Sequence, residues 1–344
     1  MKKLVSLGLM ALLSLSFITA QTVQDNELAI VYYMPQTQLS FVIEYEEEIL
    51  QRGPFADYAK QYLGATDVIT EDVTRFRLID VKSSTFTTAD HGRAYKVLAE
   101  RGLAAQLLSL TSQGTLYGFN VEQPKNNPPA KQPRTKEQPT VSSSVMPLLE
   151  EHLVGKSVAQ SAQGAAKLIY RLRETRLYIL GGEVDHAPAD GKAMELVLNE
   201  LDKQERELTE LFIGHREVKK HTKTITYTPV KSEEVELAFF SEKEGLTTGN
   251  GEPIMLNIAA RRQMKGSSYA VTDKKAPAPS QIFYNLPGSA TYKVVYLNET
   301  LDEKQVPIAQ FGVAVPLARD LFTGSELPHI IFNTNTGNIR SISQ

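Results

Sequence analysis

The chain of 344 residues contains no cysteine. A chain without thiols has no disulfide bonds, no thiolate metal site and no cysteine nucleophile, and its amino terminus lacks the residue that carries a bacterial lipid anchor. Packing and hydrogen bonds alone therefore have to hold the fold, a situation that is common in bacterial periplasmic proteins.

Residues 1–20 have the layout of a secretory signal peptide. Two lysines precede an apolar run from Leu4 to Ile18, and Thr19-Ala20 precede a polar stretch. The run is too short to span a bilayer comfortably, and no second run of about eighteen apolar residues follows. We therefore expect cleavage near Gln21, no transmembrane segment in the mature chain, and a protein that is periplasmic, associated with the outer membrane, or extracellular.

Composition favours a globular protein whose partners are not nucleic acids. Apolar residues make up 42% of the chain and charged residues 22%, so most of the chain should fold. The formal net charge is -3 at pH 7, which gives no electrostatic reason to bind a polyanion such as DNA or RNA.

The first region after the leader, residues 21–120, is predicted to be a β-rich domain with one short helix. A continuous apolar run before Met34-Pro35 and alternating apolar residues after it predict two strands, because proline marks a strand edge or corner. Pro54 and Gly64 delimit a short helix. The segment Ser112-Gln113-Gly114 predicts a hairpin turn between two further strands.

The middle of the chain is predicted to contain a linker and a helical hairpin. Residues 121–144 hold five prolines among polar and basic side chains, which is typical of a disordered linker. Residues 145–215 carry two apolar stripes at helical spacing and are predicted to form an antiparallel helical hairpin. Glu205 interrupts the second stripe, and counting back through the hairpin predicts an ion pair with Lys167 or Arg171.

The last region, residues 216–344, shows strand patterns separated by turns and is predicted to form an antiparallel β-sandwich-like domain. The whole chain is therefore assigned to the α+β class. Its predicted order is a β-rich amino-terminal domain with a short helix, a central antiparallel helical hairpin, and the carboxyl-terminal β domain.

Two short segments share a pattern in which a tyrosine, an apolar residue, a proline and a hydroxyl residue precede a strand. They are Tyr32, Met34, Pro35 and Thr37, and Tyr284, Leu286, Pro287 and Ser289. Four loose matches fit either an internal duplication or chance.

A family resemblance is carried by seven segments spread along the chain. They are Tyr33-Met34-Pro35, residues 58–64, residues 169–176, the loop 181–191, residues 211–214, residues 309–312 and Thr336-Gly337. Together they resemble a family of exported proteins from Bacteroidetes-type bacteria that is catalogued as a domain of unknown function (family 4831). The resemblance spans nearly the whole mature chain and implies a location in the cell envelope, but it implies no catalytic or ligand-binding residues.

Three tyrosines near the two prolines are candidate ligand-binding residues: Tyr32, Tyr33 and Tyr284. Each ring has an apolar face and a polar tip, so it is suited to stacking on a sugar ring or a peptide side chain. Core packing is the commoner role of such residues.

The predicted loop of the helical hairpin is a candidate metal site. It places three carboxylates and an imidazole within eight residues: Glu183, Asp185, His186 and Asp190. These are adequate donors for a hard cation or for zinc if the loop folds around the ion. The alternative is that Asp190 caps the second helix while the other acids face water.

The sequence favours a non-catalytic exported protein of the cell envelope, because it contains neither a G-x-S-x-G nor an H-E-x-x-H motif. Its role would be binding or structural, toward an envelope protein, a glycan or another extracellular polymer. Two alternatives stay open: a hydrolase of glycan or peptide with paired carboxylates in the β region, and a cation-binding module. No cofactor is predicted, and the sequence leaves the oligomeric state undetermined.

Overall fold

The computed structural model describes residues 29–98, 107–122, 157–183, 191–263, 281–318, 321 and 326–343. The predicted signal peptide and all but two residues of the predicted linker lie outside this part of the chain. The described residues are β-rich with few helices and several antiparallel sheets, which confirms the predicted α+β class at that level. None of the described helices is long and apolar enough to cross a bilayer.

The described elements begin and end as follows. The strands are β1 (Ala29–Gln51), β2 (Val73–Leu98), β3 (Leu108–Leu110), β4 (Leu116–Phe119), β5 (His215–Tyr227), β6 (Glu233–Ser241), β7 (Gly245–Thr247), β8 (Glu252–Arg262), β9 (Phe283–Tyr296), β10 (Glu299–Pro316), β11 (His329–Phe332) and β12 (Ile339–Ser343). The helices are a single 3-10 turn (Ala56–Tyr58), α1 (Ala59–Leu63), α2 (Val158–Gly181) and α3 (Gly191–Ile213).

The strands in the described ranges form three antiparallel sheets. The first has the order β2-β1-β5, the second β10-β9-β8-β6-β7, and the third β12-β11-β4-β3. The first and third sheets each combine strands from residues 21–120 with strands from residues 216–344. The division of these ranges into separate domains stays a prediction.

Two apolar cores lie between the sheets. In the larger core the first sheet packs against the second, with Phe41 of β1 meeting Tyr292 of β9 edge to face at 6.0 Å. In the smaller core the far ends of β1, β2, β9 and β10 pack against the third sheet, where Phe119 and Phe332 are buried. Both cores are therefore built from strands that are far apart in the sequence.

β1 is one continuous strand, whereas the sequence predicted two strands around Met34-Pro35. The pairing of β1 with β2 shifts register between Tyr33 and Met34, whose partners are Ala94 and Asp90. Residues 91–93 therefore bulge out of β2 opposite the step from Tyr33 to Met34, one residue before Pro35, which pairs with Ala89. Pro35 lacks a backbone N–H, and the bulge lets β1 continue past it without a break.

α2 and α3 form the predicted helical hairpin. Ser157 caps α2 in a capping box, since its backbone N–H donates to the Gln160 side chain while its hydroxyl accepts from the Gln160 backbone. Gly182 ends the helix in the left-handed conformation. The base of the hairpin packs against α1, and its buried residues are Ala162, Ala165, Ala166, Ile169, Leu208 and Phe212.

Candidate functional site

Two cavities lined by arginine lie beside the first sheet, and together we call them the arginine cleft. The hairpin cavity, about 510 Å³, lies between α2, α3 and the start of β5. The sheet cavity, about 390 Å³, lies between the ends of the first and second sheets. Arg216 lines both cavities. The arginines of the cleft are Arg75, Arg77, Arg173, Arg176, Arg206 and Arg216.

A tight turn between α3 and β5 shapes the hairpin cavity. α3 ends at Ile213, and Gly214 follows with a φ angle of +90°, a value that favours glycine. A Cβ atom on Gly214 would lie 2.5 Å from the carbonyl oxygen of Gln51 in β1. The close approach of β1 therefore leaves room for glycine alone, and the turn holds the last part of α3 alongside Arg216.

Ion pairs across the hairpin form one wall of the hairpin cavity. Glu205 accepts from Arg173 at 2.6 Å and lies 3.1 Å from Arg176, which also pairs with Asp202. The hydrogen bond to Asp202 and the charge of Glu205 raise the pKa of Arg176 above its usual value. The predicted cross-helix ion pair of Glu205 is therefore confirmed, but with Arg173 and Arg176 in place of Lys167 or Arg171.

The sheet cavity combines paired charges with aromatic walls. Arg77 lies 2.9 Å from Glu46, and Arg216 pairs with Glu48. Phe76, Phe240 and Tyr296 supply the aromatic part of the lining. Such a surface suits a partner that carries polar and apolar groups side by side.

Arg75 and Arg206 differ from the other arginines of the cleft. Neither is paired with a carboxylate within the described part of the chain. One helical turn from Arg206, the hydroxyl oxygen of Thr209 is buried and has no hydrogen-bond partner among the described residues. Buried polar groups normally have a partner, so this side of α3 is the least satisfied part of the cleft.

The lining carboxylates of the hairpin cavity are all engaged. Asp202 and Glu205 contact arginines as described above, and Glu210 lies 3.0 Å from Nδ1 of His215. Four arginines against three carboxylates leave an excess of one positive charge. The sheet cavity balances three arginines against Glu46, Glu48 and Glu242.

A second polar cluster joins the first sheet to the second. The hydroxyl of Ser83 in β2 donates to Asp302 in β10, and it accepts from Tyr292 at 2.7 Å and from Lys304 at 3.1 Å. Burial raises the pKa of Asp302, but hydrogen bonds from Ser83 and Lys304 outweigh it and hold that pKa below its usual value. Burial raises the pKa of Tyr292.

This serine cluster is suited to joining strands rather than to nucleophilic attack. The single proton of the Ser83 hydroxyl is directed at Asp302, and its lone pairs accept from Tyr292 and Lys304. Only 8% of the Ser83 surface is exposed. An attacking hydroxyl needs a free lone pair and access to substrate, and Ser83 has neither in this arrangement.

The three candidate tyrosines lie in different surroundings. Tyr32 is fully buried, and its hydroxyl donates to the carbonyl of Phe283 at 3.0 Å and accepts from the Phe283 N–H at 2.7 Å. Tyr32 has no exposed face and packs in the smaller core. Core packing is the commoner of the two roles considered from the sequence. Tyr33 and Tyr284 are partly buried, against His91 and Phe332 respectively, and their ligand-binding role stays a prediction.

The candidate metal site falls largely outside the described residues. Glu183 is exposed at the end of α2, but Asp185, His186 and Asp190 lie outside the described ranges. The described residues contain no group of three or more histidine, aspartate or glutamate side chains arranged to hold a metal ion. The cation site in the loop therefore stays a prediction.

Sequence reasoning missed the arginine cleft because its residues are far apart in the chain. Arg75 and Arg216 belong to different regions and are brought together only because β5 pairs with β1. The one local signal is the pair Arg173 and Arg176 on α2, three residues apart and opposite the break in the apolar stripe at Glu205.

The segments that carry the family resemblance meet at two structural junctions. Residues 309–312 contact β1 through Gln310, and the backbone N–H of Asn285 donates to Gly337 at 3.0 Å. Residues 58–64 contact the hairpin, where the Tyr170 hydroxyl donates to the Tyr62 carbonyl at 2.7 Å. Two of these segments, residues 169–176 and 211–214, also supply lining residues of the hairpin cavity.

Residues 29–340 match the model of a family described as a domain of unknown function, DUF4831. No curated protein and no solved structure matches the chain. Because the match covers most of the 344 residues, the chain belongs to the DUF4831 family.

Proposed function

We propose that this protein is a non-catalytic exported protein that binds another component of the cell envelope, or an extracellular polymer, through the arginine cleft. The observation that carries the proposal is the convergence of six arginines from four elements on two cavities that share Arg216. Guanidinium groups present fixed forks of donors and stay charged at physiological pH, so they suit recognition of carboxylate, sulfate or phosphate groups.

The charge chemistry of the cleft supports binding rather than proton transfer. Arginine does not release its proton at physiological pH. Both carboxylate oxygens of Glu205 contact arginines, so this acid holds the guanidinium groups of Arg173 and Arg176 in place beside the cavity.

Apolar residues extend the surface beyond the hairpin cavity. Leu177 and Leu180 follow Arg173 and Arg176 by four residues each, so each leucine lies one turn further along α2. These leucines are 68% and 64% exposed. Exposed apolar residues beside arginines favour a partner that presents apolar groups next to acidic ones.

The proposal is tested by capture from envelope extract with mild cross-linking, using the chain from Gln21 onward. Three proteins are compared: the unchanged chain, Arg206→Glu in the cleft, and Arg171→Glu as a matched control. Arg171 is also an exposed, unpaired arginine of the described hairpin, but it does not line the cleft. We expect a component that is enriched by the unchanged chain and by Arg171→Glu, and lost with Arg206→Glu.

Two results contradict the proposal. One is capture that is equal for Arg206→Glu and Arg171→Glu, because binding would then not involve the cleft. The other concerns export, which fractionation with amino-terminal sequencing measures. We expect envelope or medium fractions to hold a chain that begins near Gln21, and intact protein dissolved in the cytosol would refute the location.

A further inference from the structure

We infer that the hairpin cavity binds an oxyanion group, a phosphate, sulfate or carboxylate, through Arg206 and the hydroxyl of Thr209. The inference rests on the proposed function and names the chemistry of the group that the cleft recognises. At about 510 Å³ the cavity is large enough for a small molecule or for one unit of a polymer that carries such a group.

The first argument is an arginine that has no carboxylate partner. Each carboxylate that lines this cavity has a partner: Asp202 contacts Arg176, Glu205 contacts Arg173 and Arg176, and Glu210 contacts His215. A further lining arginine, Arg216, pairs with Glu48. Arg206 is therefore the lining arginine whose guanidinium has no carboxylate partner among the described residues and stays available to a ligand.

The second argument is the unsatisfied hydroxyl of Thr209. In a helix a threonine hydroxyl commonly donates to a carbonyl oxygen of the preceding turn. The Thr209 hydroxyl oxygen is buried and has no partner within the described ranges, although Thr209 lines the cavity. A buried hydroxyl without a partner costs stability, and rotation of the Thr209 side chain about χ1 would turn it into the cavity, where an anion would accept its hydrogen bond.

The third argument is spacing. Arg206 and Thr209 are three residues apart on α3, so their side chains lie on the same face of the helix. On the opposite wall, Arg173 and Arg176 are held in place by Glu205. Each guanidinium carries five N–H donors, and the ion pairs leave several of them free for a ligand.

The test is calorimetric titration of the purified protein with inorganic phosphate, sulfate and acetate, at constant ionic strength set with chloride. Arg206→Gln should weaken the affinity for the anion about tenfold or more, because it removes a charge-assisted hydrogen bond. Arg171→Gln, the matched control, should leave the affinity unchanged. Comparing the three anions shows which oxyanion the cavity prefers.

Thr209→Val separates a ligand-binding role from a structural one. Valine has nearly the shape of threonine but lacks the hydroxyl, so the unsatisfied group disappears. We expect a melting temperature that is unchanged or higher together with anion affinity that is severalfold weaker. A lower melting temperature with unchanged affinity would assign the hydroxyl to structure and overturn its role in binding.

Failure of this inference is distinguishable from failure of the proposed function. If no anion binds above the chloride background while envelope capture still depends on Arg206, the oxyanion site is wrong and the binding role stands. Anion binding that is equally weakened in Arg171→Gln and Arg206→Gln would also overturn the site, because the effect would then be general electrostatic attraction.

Discussion

The proline corners of β1 and β9, at Pro35 and Pro287, share one backbone arrangement but differ in their surroundings. In each, the strand that follows in the chain carries three extra residues close to the proline: opposite the step from Tyr33 to Met34 in β1, and opposite Pro287 in β9. In β2 these are residues 91–93. In β10 the four residues 309–312 lie opposite the single residue Pro287, which also leaves three extra residues. The sequence similarity between the two segments therefore extends to the strand pairing around them.

Both strands also change the face that they bury at the proline. β1 buries Met34 and then its neighbour Pro35, while β9 buries Asn285 and then Gly288. Because side chains alternate along a strand, an odd step between buried residues moves the buried set to the other face. Each strand thereby passes from one core to the other: Tyr32 and Phe283 lie in the smaller core, and Phe41 and Tyr292 in the larger.

The two bulges differ in what they contact. In β2 the tip of the bulge, His91 and Gly92, is exposed, whereas the Arg93 side chain is only 17% exposed; it donates to the Pro35 carbonyl at 2.8 Å and pairs with Asp90. In β10 the bulge is inside, where the Gln310 carboxamide accepts from the Thr37 N–H at 2.8 Å and donates to the Thr37 carbonyl at 2.9 Å. The same kind of bulge can therefore project into solvent or hold two sheets together.

The largest difference should appear on adding one methyl group to each bulge. A Cβ on Gly312 would lie 1.9 Å from the carbonyl oxygen of Leu286, so Gly312→Ala should cost more than about 3 kcal/mol or prevent folding. A Cβ on Gly92 meets only an Asp90 oxygen at 3.2 Å, so Gly92→Ala should cost less than about 0.5 kcal/mol. Urea denaturation followed by circular dichroism measures both. Equal losses would show that the corners are not packed differently.

A smaller difference is expected for the side chains that bind the corners. Gln310→Ala leaves backbone groups of Thr37 and Pro229 without partners and should cost roughly 2 to 3 kcal/mol. Arg93→Ala leaves the Asp90 carboxylate, which is 16% exposed, and the Pro35 carbonyl without this partner, and it should cost roughly 1 to 2 kcal/mol because the adjoining tip of the bulge is exposed and lets water replace part of the contacts. The free energy of unfolding in urea checks the order, and a larger loss for Arg93→Ala would reverse the comparison.

The smallest difference concerns the tyrosines beside the prolines. Tyr32→Phe removes a buried hydroxyl that bonds to both backbone groups of Phe283, and it should cost about 1 to 2 kcal/mol. Tyr284→Phe removes a hydroxyl without a hydrogen bond in the described part of the chain and should cost less than about 0.5 kcal/mol. Equal effects in thermal melts would contradict the assignment of Tyr32 to the smaller core.

The pH dependence sharpens the comparison of the two tyrosines. Burial raises the pKa of Tyr32 far above its ordinary value of 10.0. The stability that goes with this raised pKa is fully present below pH 10 and is lost as the pH rises from there towards the raised pKa, because the unfolded tyrosine ionises first. Between about pH 9 and pH 11 the unchanged protein should therefore lose more stability than Tyr32→Phe does. Unfolding at both pH values measures the difference.

Local elements of the fold were predictable from the sequence. The apolar stripes identified α2 and α3, and Ser112-Gln113-Gly114 does connect β3 to β4 as predicted. Such features depend on residues that are close in the chain. At Met34-Pro35 the prediction of two strands was wrong, because the irregularity caused by the proline is taken up by a bulge in β2. The segment Asp90-His91-Gly92-Arg93 indicates a turn, but nothing in it indicates that it lies beside Pro35.

Pairing between distant strands and the arginine cleft were not predictable in the same way. β5 pairs with residues 39–51 of β1, and no local pattern in either strand indicates that the other is its neighbour. Arg75, Arg206 and Arg216 come to line the arginine cleft only after that pairing and the turn at Gly214 are in place. Glu205 was recognised as half of an ion pair because a charge in an apolar stripe needs a partner, although its partners were displaced along α2.

The place of β11 in the third sheet has a consequence for the timing of assembly. β11 lies between β4 and β12, so β4 has only the three-residue β3 beside it until residues 329–343 have been synthesised. Contacts between such distant segments form slowly. The smaller core can therefore close only after residues 329–343 have joined the rest of the chain in the compartment where it folds.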